Sequence, residues 1–231
     1  MIQTIFFDLD NTLLDFNRAE AAALDRALEE AGIPPTAAIA ERYHAINLSQ
    51  WELLEEGVLT RDQVMTRRFD LLFAELGVVR SSREVCRRYE GLLAEGHMLL
   101  PGAAALVQAL APRYDLYLAT NGAAAVQRRR LRDSGLEPWF RAVFISEEIG
   151  WDKPARAFFD ACFAAVPGFS RDTALMVGDS LTSDIRGGIG AGIRTCWLRR
   201  PGAAARADIR PDHEIASLEE LPPLLDRLSR S

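Results

Sequence analysis

Hydrophobic and polar positions change period along the chain, and the changes divide it into parts. Ile5-Phe6-Phe7 is an unbroken apolar run that stops at Asp8-Leu9-Asp10. A run this short, bounded by acids, predicts a fully buried parallel strand. From Phe16 onward the period becomes helical. Asn17 with Glu20 matches a capping box ahead of Leu24, Leu28 and Ala31, and Gly32 ends that helix. Thr36 opens a second helix through Tyr43, Ile46, Leu53 and Leu54 to Gly57. Thr60 with Gln63, another capping-box match, opens a third through Val64, Phe69, Leu72 and Leu76 to Gly77, and Ser82 opens a fourth toward Leu92-Leu93. The spacing therefore predicts an all-α insertion over residues 16–98, with core sequence at 1–15 and 99–231.

After Pro101-Gly102 and a short Ala-rich helix to Ala111, strands and helices alternate as in a doubly wound α/β fold. Strands are predicted over residues 115–119, 142–145, 174–177 and 195–198, with a short edge segment around Glu214-Ile215. Helices are predicted over 123–134, from Pro154 through Phe163, from a cap at Thr182 or Ser183 to Gly190 and Gly192, and from Ser217.

The chain has 231 residues, enough for one α/β domain with a modest insertion. Its net charge of -6, with no long basic run, argues against a nucleic-acid partner. The densest basic stretch, Gln127-Arg128-Arg129-Arg130, lies within a predicted helix and reads as a solvated face, with phosphate steering as the alternative. Cys86, Cys162 and Cys196 are scattered without C-x-x-C spacing, which speaks against a disulfide framework or zinc site and for a reducing compartment. Cys196, inside a predicted strand, reads as a small core residue. His44, His97 and His213 lack ligand spacing and read as incidental. Without a leader before the first strand or an apolar run near the ~20 residues of a membrane span, a cytoplasmic protein with no membrane partner is expected.

The strand ends concentrate the chemistry. Asp8 and Asp10 end the first, Thr120 and Asn121 the second, and Gly178-Asp179 the fourth, with Asp184 five residues on; Lys153 follows the third within Trp151-Asp152-Lys153-Pro154. Right-handed crossovers bring all these ends to one edge of the sheet. Each motif alone reads as an ordinary turn; together, at successive strand ends, they read as a site. The carboxylates suit Mg²⁺, a hard cation that keeps room for water and a phosphate oxygen. Asp8 is the expected nucleophile. Asp10, two residues on and on a similar face if the strand persists, is the expected acid and base. Thr120 and the backbone around Asn121 suit phosphate oxygens, and Lys153 supplies a cation between nucleophile and anionic substrate.

These motifs resemble those of the haloacid dehalogenase (HAD) superfamily over essentially the whole chain. Asp8-Leu9-Asp10-Asn11-Thr12 is similar to its first motif, Thr120-Asn121 to the second, Lys153-Pro154 to the third, and Gly178-Asp179 through Asp184 to the fourth. The resemblance implies a Rossmann-like core with a C1-type helical cap inserted after the first strand. It also implies metal ligation by Asp8, the backbone carbonyl of Asp10, and Asp179, assisted by Asp184. Trp51, Gly57-Val58-Leu59-Thr60, Arg68-Phe69, Ile145-Ser146-Glu147-Glu148-Ile149-Gly150 and residues 183–192 further resemble the YjjG-type pyrimidine 5′-nucleotidases. That implies Mg-dependent hydrolysis of nucleoside 5′-monophosphates through an aspartyl-phosphate, by a monomer or homodimer. The alternatives are a phosphatase for phosphoglycolate or a sugar phosphate, a phosphomutase, and a haloacid dehalogenase, the last disfavoured by Asp10. A regulatory or scaffold protein is disfavoured by the complete acid, lysine and metal set. Trp51, Tyr43, Phe69 and Phe16 are candidates to stack on a base, although aromatics at helical spacing usually form core.

Overall fold

A computed structural model describes residues 1–229, leaving Arg230 and Ser231 of the expected core sequence outside the described residues. The chain begins with strand β1 (Thr4–Phe7), followed by four helices: α1 (Phe16–Glu30), α2 (Ala37–Glu55), α3 (Arg61–Leu76) and α4 (Ser82–Leu93). Alternation then sets in with α5 (Ala103–Leu110), β2 (Asp115–Thr120), α6 (Ala124–Asp133), β3 (Ala142–Ile145), α7 (Ser146–Ile149), α8 (Arg156–Ala164) and β4 (Ala174–Gly178). A π-helical turn over Leu181–Ile185 leads into α9 (Arg186–Ala191), and β5 (Arg194–Leu198), β6 (His213–Ile215) and α10 (Leu221–Leu228) complete the chain. Contacts divide it into two compact units, Phe16–Gly96 and the remainder.

In the unit built on the sheet, six strands lie in the order β3-β2-β1-β4-β5-β6, and every pairing is parallel. Strand β1 is central because its four residues pair with Asp115–Leu118 on one side and Ala174–Val177 on the other. Alternation along each strand feeds two cores. Ile5, Phe7, Leu116, Leu118, Leu175 and Val177 pack in a cluster with residues of α5, α6 and α10. Phe6, Tyr117, Phe144 and Met176 pack in another with Phe158, Phe159 and Phe163 of α8. Burial on both faces explains why these strands read as unbroken apolar runs. Chain direction through the sheet reverses between β1 and β4, which opens a crevice beyond their C-terminal ends. Cys196 is fully buried in the first of these cores.

The Phe16–Gly96 unit contains only helices among its regular elements. Tyr43, Phe69 and Tyr89 form an aromatic core with ring centroids 5.1–5.6 Å apart, so Tyr43 and Phe69 are packing residues. A buried polar chain crosses the same unit. Glu20 receives His44 Nδ1 at 2.5 Å and Asn47 Nδ2 at 2.7 Å, while Asn47 Oδ1 accepts from Trp51 Nε1 and from Arg68 Nη1, each at 3.1 Å.

Several local elements differ from the sequence expectation. The Thr60–Gln63 capping box forms, but Asn17 lies inside α1 and Glu20 is turned into the polar chain, where burial without partners would cost more than a cap returns. His44 is therefore not incidental. Helix α4 opens at Ser82 as expected, with Ser81 as its cap, whereas Ser180, rather than Thr182 or Ser183, caps the π-helical turn by accepting from the Ser183 amide at 3.1 Å. Helix α7 starts directly at the end of β3, and α8 starts at Arg156, two residues after the cis Lys153-Pro154 peptide.

The hydrogen bond from Glu20 holds the His44 imidazole above its ordinary value, against the opposing effect of partial burial. Its charged contribution to stability is therefore present below about pH 6.5 and is lost as pH rises through the higher folded value. Half-exposure of the His44 side chain keeps the effect small. His44→Gln is expected to lower Tm more at about pH 5.5 than at about pH 9; an equal loss at both would show that His44 does not act as a cation toward Glu20.

Candidate active site

Beyond β1 the backbone holds its line for one more residue, the Asp8 amide donating to the Val177 carbonyl at 2.9 Å. It then turns sharply. The amides of Leu13 and Leu14 both return to the Leu9 carbonyl at 2.9 Å, and Asn11 takes a left-handed φ of 57° that asparagine tolerates better than most residues. The pleat does not persist, so Asp10 reaches its place through a turn and not by strand periodicity. Thr12 ties this turn to β4, its hydroxyl accepting from the Asp179 amide at 3.1 Å; Trp197 Nε1 donates to the Asp179 carbonyl at 2.8 Å.

Lys153 is buried at the centre. Its Nζ donates to Asp8 Oδ1 at 2.8 Å, to Asp184 Oδ1 at 2.6 Å and to the Ala119 carbonyl at 2.7 Å, which uses all three of its protons. Asn121 holds the lysine's backbone from both sides: Asn121 Nδ2 donates to the Lys153 carbonyl and the Lys153 amide donates to Asn121 Oδ1, each at 2.9 Å. The Asn121 side chain thus serves the lysine loop, which leaves its backbone as the candidate phosphate contact. Asp184 lies across the end of β4, its Oδ2 accepting from the Ser180 amide at 3.0 Å. Gly178 makes room for it, since a Cβ there would lie 2.1 Å from Asp184 Oδ2.

Carboxylate oxygens of Asp8, Asp179 and Asp184 lie within 4.8 Å of one another. Burial raises the Asp8 carboxyl to about 7, with Lys153 opposing the rise and Asp184 and Asp10 adding to it. Burial, reinforced by Asp8 and Asp184, likewise pushes Asp179 well above the usual carboxylate range. Although burial opposes it, the two neighbouring carboxylates hold the Lys153 ammonium above its ordinary value. Three carboxylates facing one ammonium leave excess negative charge in a desolvated place, and an all-oxygen donor set of this size fits a hard divalent cation. Asp10 is not one of the three clustered carboxylates.

Asp10 is held from the side of β2. Arg130 Nη1 donates to its Oδ1 at 2.5 Å and Gln127 Nε2 to its Oδ2 at 2.7 Å. Gln127 Nε2 also reaches Thr120 Oγ1 at 2.8 Å, leaving the threonine's own hydroxyl proton to donate. The expectation of a solvated basic face is thus half wrong. Arg128 and Arg129 are exposed and pair with Glu148 and Asp133, but Gln127 and Arg130 are buried. The signal was present in the helical period: Val126 and Leu131 fix the inner face of α6, and positions 127 and 130 fall within it.

A family model described as haloacid dehalogenase-like hydrolase matches residues 2–192. The chain is 42% identical to YfnB of Bacillus subtilis over 97% of its own length and 95% of that protein. A crystal structure of YfnB, described as bound to magnesium and revealing interdomain movement, superposes with a TM-score of 0.94 over 97% of this chain and 99% of that one. The pyrimidine 5′-nucleotidase PynA of Streptococcus pneumoniae is 39% identical over 96% of this chain and 94% of its own. The pyrimidine 5′-nucleotidase YjjG of Escherichia coli is 34% identical over 96% of each.

Replacing Lys153 by methionine keeps the volume of the stem and removes the counter-charge from Asp8 and Asp184. Breaking a buried ion pair from one side costs about 3–5 kcal/mol. Denaturant unfolding of Lys153→Met is expected to show a loss in that range; a loss below about 1 kcal/mol would show that the two carboxylates do not depend on this ammonium.

Proposed function

The chain belongs to the haloacid dehalogenase-like hydrolases, and on that premise we propose that it is a Mg²⁺-dependent phosphomonoesterase acting on nucleoside 5′-monophosphates, pyrimidine ones foremost. The full-length similarity to two pyrimidine 5′-nucleotidases supports the substrate class. The observation that carries phosphate-ester over carbon–halogen chemistry is Asp10, held by two side-chain donors beside the nucleophile's strand. A departing alkoxide needs a proton and a departing halide does not.

In this reading Asp8 attacks phosphorus in line, a bond forms from its carboxylate oxygen, and the bond to the ester oxygen breaks. Asp10 gives its proton to the leaving oxygen. It then takes a proton from the water that attacks the aspartyl-phosphate, which frees Asp8 and releases phosphate. The Thr120 hydroxyl and the backbone at Asn121 hold the equatorial oxygens, and the Lys153 ammonium offsets their charge. Asp8, Asp179 and Asp184, with the Asp10 carbonyl, would hold Mg²⁺, which when bound offsets phosphoryl charge. The helical unit Phe16–Gly96 serves as the cap that excludes water and selects the leaving group.

Initial rates on a panel of nucleoside monophosphates, sugar phosphates and phosphoglycolate, with Mg²⁺ or EDTA, test this. Pyrimidine 5′-monophosphates are expected to rank first and to require the metal. If small phosphates or sugar phosphates rank first, the nucleotidase reading falls, and halide release from a haloacid in EDTA would replace the reaction class altogether. Asp8→Asn is expected to remove at least about three orders of magnitude of kcat without unfolding the protein; retained turnover would exclude Asp8 as nucleophile.

A further inference from the structure

One face of α6 carries a charge where an apolar residue is expected. Val126, Gln127, Arg130 and Leu131 are all buried on it, and Arg130 has no exposed surface. A desolvated guanidinium is tolerable only against an anion and further acceptors. Its Nη1 meets Asp10 Oδ1 at 2.5 Å and Gln127 Oε1 at 3.0 Å. Gln127 then spans the remaining distance, its Nε2 reaching Asp10 Oδ2 at 2.7 Å and Thr120 Oγ1 at 2.8 Å.

Each oxygen of the Asp10 carboxylate therefore has its own donor. One donor would fix the position of a carboxylate and leave its plane free to rotate; two donors on different oxygens fix both. The need is local. Asp10 sits in a turn, next to left-handed Asn11, and its side chain is about a quarter exposed, so backbone and packing alone do not set its angle. The donors, by contrast, are confined. Gln127 lies so close over Gly122 that a Cβ there would stand 2.8 Å from its amide. A Cβ at Gly122 would therefore displace the glutamine. Because one amide nitrogen serves both Asp10 and Thr120, the proton carrier and the phosphate-facing hydroxyl are set relative to each other.

We propose that Gln127 and Arg130 are positioning residues that hold the Asp10 carboxylate at the angle needed for proton transfer to the ester oxygen. The inference rests on the phosphatase reading and extends it to residues whose role lies outside the four motifs. Each Asp10 oxygen accepts one clamp bond and retains a second lone-pair direction for the substrate. Proton transfer depends on heavy-atom distance and alignment, so loosening the clamp weakens this step more than substrate binding.

The test compares leaving groups. Wild type, Gln127→Leu, Arg130→Met and Arg130→Lys are assayed as full chains with Mg²⁺, on the best nucleoside monophosphate and on p-nitrophenyl phosphate. The aryl ester departs without a proton, and kcat/KM reports only the steps through phosphoryl transfer to Asp8. For Arg130→Met, kcat/KM is expected to fall at least about tenfold on the nucleotide and less than about threefold on the aryl ester, with KM for the nucleotide little changed; Gln127→Leu, which also releases Thr120, is expected to lose on both esters and more on the nucleotide. Arg130→Lys, which keeps a charged donor but not the fork, is expected to recover part of the loss. Equal losses on both esters, or no loss on the nucleotide, overturn the proposal. Should Arg130→Met fail to fold, Arg130→Lys decides by the same ratio, because it keeps the charge and leaves the Gln127 contact to Thr120 in place. If wild type cleaves no nucleotide, the substrate reading fails alone, and the same ratio is measured on its best alkyl phosphate. Inactivity of wild type toward every ester overturns both.

Discussion

The Lys153 ammonium lies between the carboxylates of Asp8 and Asp184, 2.8 and 2.6 Å away, where almost no water shares the charge. Much of the site is built around keeping it there. Asn121 grips the lysine's backbone with two hydrogen bonds, the Ala119 carbonyl takes its third proton, and Gly178 leaves space for Asp184 to lie within reach. One ammonium does not balance the carboxylates it faces, while burial, reinforced by the neighbouring carboxylates, raises the Asp8 and Asp179 carboxyls. That excess of negative charge suits the crevice to a divalent cation.

Sheet topology makes the arrangement possible. Asp8 and Asp179 follow neighbouring strands, β1 and β4, on either side of the point where the sheet's order reverses. Strand β2, on the other flank of β1, ends at Thr120 and delivers Asn121 and then α6. Only short loops are needed, because parallel pairing already brings these ends to one edge. Two clamps follow from α6 and its preceding loop: Asn121 holds the lysine and Gln127 with Arg130 holds Asp10. Asp8 and Asp10, two residues apart in the chain, are thereby fixed by different partners.

The strands and their terminal residues were legible because strands buried on both faces become continuous apolar runs, and the polar residue that ends each run stands out. Where one residue type serves two physical roles, sequence alone misleads. Glu20 has the spacing of a capping residue, yet it is turned inward to His44 and Asn47. Arg130 sits in an arginine run that looks solvated, and only the period set by Val126 and Leu131 separates it from exposed Arg128 and Arg129. The turn after Asp8 depends on hydrogen bonds from Leu13 and Leu14 to the Leu9 carbonyl and from Asn11 to the Leu14 carbonyl, which no residue pattern announces. The π-helical turn after Ser180 is equally silent, being a matter of which carbonyl each amide selects.

Phosphatase chemistry of the proposed kind requires that the carboxylate following β1 becomes covalently phosphorylated. Acid quenching of the enzyme during turnover of its best phosphate ester, followed by peptide mass spectrometry, tests it directly. The account predicts an acid-stable, hydroxylamine-labile phosphoryl group on the peptide containing Asp8, formed at Asp8 itself and absent from Asp8→Asn. A phosphoryl group on another residue, or none while phosphate is being released and the quench is faster than turnover, would contradict it.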